Sequence, residues 1–189
     1  MKNYSALLLL PAGLLLAQCA KAPEVAPKVD YDQKSADIVQ AVSPSVAGTW
    51  AMRRLAFKAQ PVSYFRKDSV YEDFATIDIR PAAVARHSPA DPRYADFTGL
   101  LHYKSKTYPV QFELTASPER LVHDQGPPAL FLFEYNFPVG SHPTEEEEAF
   151  LQYLGLIGDN FTLEVAQGPP AMTWRGTSRG VDKIDLVKK

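Results

Sequence analysis

Few residues of this chain carry chemistry by type and spacing. The single cysteine, Cys19, follows the apolar run 6–16 and is the only thiol among 189 residues. Alone it closes no disulfide within the chain, so an exported domain built from this sequence relies on its hydrophobic core. Four histidines, His87, His102, His123 and His142, are scattered singly. A metal site needs ligands brought together in a defined geometry, so neither a metal nor another cofactor is expected. Serine nucleophile elbows, phosphate loops and paired-carboxylate patterns are missing from the sequence, and no catalytic residue is assigned: an enzyme is not expected. Glu134 is the polar residue that stands out, beside Asn136 in the greasy stretch 129–137. Facing inward, it would be a polar contact at the bottom of a ligand cavity, with Arg53, Arg54 or Arg80 as partner. Facing outward, the commoner state of a glutamate, it needs only a surface partner.

The charge balance narrows the partners. Twenty Lys and Arg oppose 22 Asp and Glu, a formal net charge of −2. Nucleic-acid binding leaves a cationic excess to meet phosphates, and none is present, so no nucleic-acid partner is expected.

The N-terminus has the parts of an export signal in order. One cation, Lys2, precedes the apolar run, and Ala, Lys, Pro and Glu follow it. Leu16-Ala17-Gln18-Cys19 resembles the lipobox of bacterial lipoproteins. The resemblance implies removal of residues 1–18 as a signal peptide and acylation of Cys19 as the lipid anchor. Three acyl chains would hold the protein where one binds only marginally. Ala20 stands where an inner-membrane retention signal would place Asp, so the resemblance points to the outer membrane of the cell envelope. Two alternatives stay open. The small-x-small triplet Ala20-Lys21-Ala22 would release a soluble exported protein. An uncleaved span is the third reading, although the run is shorter than the ~20 apolar residues a bilayer needs.

Residues 19–33, with Pro23 and Pro27, read as a flexible tether, and 34–189 as one β-rich domain. A short helix is predicted over 35–42, with Ser35 as N-cap and Pro44 beyond its end. Strands follow over 48–58, 62–66 and 75–80. A hairpin over 97–115 turns near Ser105 and Lys106, with Phe97, Leu101, Tyr103, Tyr108, Val110, Phe112 and Leu114 on its apolar side. The stretch 129–137 is predicted to be a central strand buried on most of both faces. A helix over 144–156 has Thr144 as N-cap and Glu145–Glu148 in a solvated first turn. Strands over 161–165, 172–174 and 184–187 complete about eight or nine in a mainly β chain.

Gly48-Thr49-Trp50, opening the first strand after a short helix, looks like the Gly-x-Trp start of lipocalin and calycin barrels. The resemblance implies an antiparallel barrel in which Trp50 plugs one end beneath an arginine from near the last strand, Arg175 or Arg179. A β-sandwich is the alternative. Two functions remain open. In one, the barrel binds an apolar or amphiphilic small molecule lined by Phe97, Leu101, Tyr103, Phe112, Phe131 and Phe133. In the other, those side chains fill a solid core, and the protein is a non-enzymatic interaction or assembly lipoprotein.

Overall fold

The computed structural model describes residues 28–59, 67–87, 89–138, 140, 146–166 and 170–189. Cys19, the signal segment and most of the tether lie outside these residues, as do the strand predicted over 62–66, Thr144, Glu145 and His142.

Eight strands form a closed barrel in chain order, each antiparallel to the next. They are β1 (Gly48–Phe57), β2 (Ser69–Pro81), β3 (Tyr94–Tyr103), β4 (Lys106–Ala116), β5 (Ala129–Tyr135), β6 (Asp159–Val165), β7 (Ala171–Gly176) and β8 (Val181–Lys188). The first and last strands close the ring, with Trp50 opposite Lys188 and Leu55 opposite Ile184. Closure leaves no open sheet edge and aims one face of every strand inward. Tyr108, Val110, Phe112 and Leu114 are all buried, and Phe112 faces Phe97 across the β3–β4 hairpin. The turn lies at Lys104 and Ser105, one residue earlier than expected.

Helix α1 (Tyr31–Val46) is longer than its sequence signals. Asp30, not Ser35, caps it, accepting from the backbone N–H groups of Asp32 and Gln33 at 3.1 Å each. Ser35 is buried one turn in. Pro44 sits inside the last turn instead of beyond the helix. Its fixed φ suits a helix, and the Ser43 hydroxyl donates to the Val39 carbonyl at 2.6 Å. The last three residues assigned to the tether, 31–33, are therefore helical. Val39 and Val46 are buried, and α1 packs on β3, β4, β5 and the short α2 (Pro118–His123).

Helix α3 (Glu146–Tyr153) joins β5 to β6 at the opposite end of the barrel from α1. Leu151 faces the core, while Tyr153 is 72% exposed. Gly155, at φ 76°, turns the chain so that Leu154, Leu156 and Ile157 are buried after the helix ends. The acidic first turn is not wholly solvated. Glu148 is buried, and Glu147 pairs with Lys106 at 3.1 Å.

Strand β5 departs from its expectation too. Ala129, Phe131 and Phe133 are buried, but Leu132 on the other face is 37% exposed. Every strand of a closed barrel keeps one face toward the outside, however apolar its residues, and α1 and α3 cover the ends.

Candidate functional site

The six residues expected to line a cavity do converge inside the barrel. Phe97, Leu101, Phe112, Phe131 and Phe133 are at most 3% exposed, and Tyr103 is 8% exposed. The rings of Phe97, Phe112, Phe131 and Phe133 pack on one another. Phe112 lies 5.1 Å from Phe97 and 4.7 Å from Phe131, centroid to centroid. Trp174 of β7 stands among them, 5.0 Å from Phe131 and 5.3 Å from Phe133, with its rings edge-on to both. Phe161 adds a further face to Phe131 at 5.7 Å. Edge-to-face and offset packing of this kind adds to the stabilisation from burial alone. Tyr103 belongs to a second group at the α3 end, stacked on Phe74 at 4.8 Å and on Phe150 at 6.2 Å.

Polar atoms do enter the apolar interior, among them the indole N–H of Trp174. It is buried, and among the described residues it has no hydrogen-bond partner. The other tryptophan is fully satisfied: Trp50, 1% exposed, donates to the Val46 carbonyl at 2.8 Å. Its cation is Lys188, whose Nζ lies 5.5 Å from the ring centroid. Arg175 does not play that part, since it points outward to Glu164 at 3.0 Å. Arg179 is held at the other end of the barrel, its backbone N–H on Asp159 at 3.1 Å. The strand direction decides this: β7 ends and β8 begins far from Trp50, and only the end of β8 returns to it.

Glu134 faces outward. Its partner is Arg86, at 3.6 Å, in place of Arg53, Arg54 or Arg80. Arg86 reaches it from the β2–β3 connection, which lies back over the outer wall. The Arg86 backbone N–H donates to Asp96 at 2.9 Å, and the neighbouring His87 meets Glu113 at 2.9 Å.

The outer wall also carries a polar chain that single-residue reading did not find. The Thr49 hydroxyl donates to one oxygen of Asp78 at 2.6 Å. The other Asp78 oxygen meets His102 Nε2 at 3.1 Å, and His102 Nδ1 meets the Thr107 hydroxyl at 3.0 Å. The Thr49 hydrogen bond and then that of His102 hold the Asp78 carboxyl below the usual carboxylate range. Four adjacent strands supply these side chains, and only the register brings them together. Outward alternation at Asp78 and His102 was the available signal. Among the described residues, no group of three His, Cys, Asp or Glu side chains is placed to hold a metal ion.

Fold and interior define the class: a closed, eight-stranded antiparallel β-barrel, compatible with a lipocalin-like fold. No family, no curated protein and no solved structure is matched by this chain.

Proposed function

We propose that the protein is an exported, lipid-anchored lipoprotein of the cell envelope, tethered through Cys19, whose barrel is a solid, non-enzymatic interaction or assembly module. The observation that carries the reading is the packing of the six inward residues, none more than 8% exposed. A barrel of eight strands is just wide enough to be filled by its own side chains or to hold one small ligand. Here the inward aromatic rings pack on one another, which supports a filled barrel and leaves the outer wall and the loops to meet partners.

A second reading is favoured by a different atom. A buried donor left unmade costs about 1–3 kcal/mol, and the Trp174 N–H is such a donor. An apolar or amphiphilic ligand with an acceptor oxygen would relieve it once the Phe131 and Phe133 rings moved aside.

Titration of the purified protein with a fluorescent fatty-acid analogue separates the two. The solid-barrel reading expects no saturable signal and unchanged Trp174 fluorescence. Saturable binding that Leu101→Trp and Phe131→Trp both weaken would replace it with the ligand reading.

A further inference from the structure

We infer that a groove on the outer wall of β1–β3 binds a phosphate group, as a phosphate monoester or diester. The groove is a depression open to solvent with a volume of about 360 Å³, and the small side chains Ala51 and Thr76 form part of its floor. Its lining includes the cationic side chains Arg53, Lys104 and Lys189, with Asp73 as the one acidic side chain among the lining residues. In a chain of net charge −2, this is a local concentration of positive charge.

The backbone builds the groove. Pairing between β1 and β2 slips between Met52, opposite Ala75, and Arg54, opposite Glu72. Arg53 thus faces an extra residue, a β-bulge that re-aims its side chain. Asp73 takes φ 47° there, a left-handed conformation that aspartate tolerates better than most residues. Arg53 and Asp73 pair at 2.5 Å. Lys104, at φ 54° in the β3–β4 turn, carries its Nζ 5.2 Å from the Tyr103 ring centroid. The carboxylate that feels its charge, Glu147, is already paired with Lys106. No salt bridge among the described residues engages Lys104 or Lys189. His102 borders the groove with both ring nitrogens already engaged, so the lysines supply the free donors.

A phosphate oxygen accepts several charge-assisted hydrogen bonds at once, which suits two lysines and an arginine around a floor of small residues. Phe74, at the groove's edge, continues into Tyr71 at 5.8 Å, and Tyr71 is 36% exposed. That ledge suits the carbon part of a phosphate ester. The ester could be a phospholipid headgroup or a soluble phosphate.

The full chain carrying Cys19→Ser, free of any acyl anchor, is titrated with inorganic phosphate at neutral pH and followed by amide NMR shifts. Saturable shifts centred on Ala51 and Thr76 are expected. Lys104→Gln with Lys189→Gln should weaken Kd by about tenfold or more, whereas Lys183→Gln should not change it. Lys183 is paired elsewhere, with Asp185 at 2.9 Å. If the double variant does not fold, each single variant should weaken binding severalfold. In a parallel arm, sedimentation with phosphatidylglycerol vesicles, competed by phosphate and absent with phosphatidylcholine, identifies a headgroup as the source. Phosphate binding without such sedimentation identifies a soluble ester. No saturable shift, or equal effects of the Lys104/Lys189 and Lys183 variants, overturns the site.

Discussion

Lys188 lies over Trp50, its ammonium 5.5 Å from the ring centroid, and Gly48 makes that approach possible. A Cβ on Gly48 would meet Lys188 Cε at 2.6 Å, and Gly48 itself takes φ 136°, a conformation L side chains rarely adopt. The first and last strands are therefore joined by hydrogen bonds, by register and by one cation on one ring. Lys188→Met should cost about 0.5–1 kcal/mol, the worth of an exposed cation–π contact. Gly48→Ala should cost more, because truncating Lys188 relieves the contact but not the backbone. Urea melts of Lys188→Met, of Gly48→Ala alone and of Gly48→Ala combined with the truncation Lys188→Ala check this. Full recovery of Gly48→Ala stability on truncating Lys188 would show that φ is not the constraint.

Trp50→Ala should destabilise the fold by about 3–5 kcal/mol, as large truncations in a core do. The ring is 1% exposed and its N–H is bonded to Val46, so truncation also leaves a buried carbonyl unsatisfied. A thermal midpoint close to wild type would show that the barrel end tolerates the cavity.

Leu101→Trp tests how full the interior is. Leu101 is 0% exposed, inside the aromatic cluster's wall. Added volume in a filled core costs about 1–3 kcal/mol. A variant as stable as wild type would reveal unfilled space and favour the ligand reading.

Acid should weaken the outer-wall chain. Asp78 is held below its ordinary 3.8, first by Thr49 and then by His102. Asp91 is lowered to about 2 by Arg93. A carboxylate with a depressed folded value contributes stability above its unfolded value and loses it as pH falls through the folded one. Stability should thus fall between pH 3.8 and about 2, and Asp78→Asn with Asp91→Asn should flatten the slope. Denaturant melts across that range measure it. An unchanged slope would show that neither group is linked to folding.

Cys19→Ser should move the protein from the membrane fraction to the soluble exported fraction. Mass spectrometry of the wild-type N-terminus should find the acyl groups on Cys19. An unmodified N-terminus with unchanged partitioning would remove the anchor from the proposal.

Alternation along single strands was enough to place most of the interior, because side-chain direction in a strand follows a period of two whatever the partner. Phe97, Leu101, Phe112 and Phe131 could be assigned to one face from the chain alone. The N-terminal pattern on which the export proposal rests is linear as well, and lies outside the described residues. Closure of the ring and the identity of long-range partners depend on pairings between distant segments, and only the tertiary structure decided them. Trp50 finds Lys188 because β8 runs back to the start of β1, and Arg175 is directed away on β7. Glu134 finds Arg86 because the β2–β3 connection lies over the outer wall, a path no local pattern encodes. The start of α1 turned on a single cap: Asp30 and Ser35 are both good capping types, and the structure puts Asp30 at the cap and Ser35 on the buried face one turn in. Whether converging aromatic rows enclose a space or fill it is a matter of volume, and volume is a property of the packed rings.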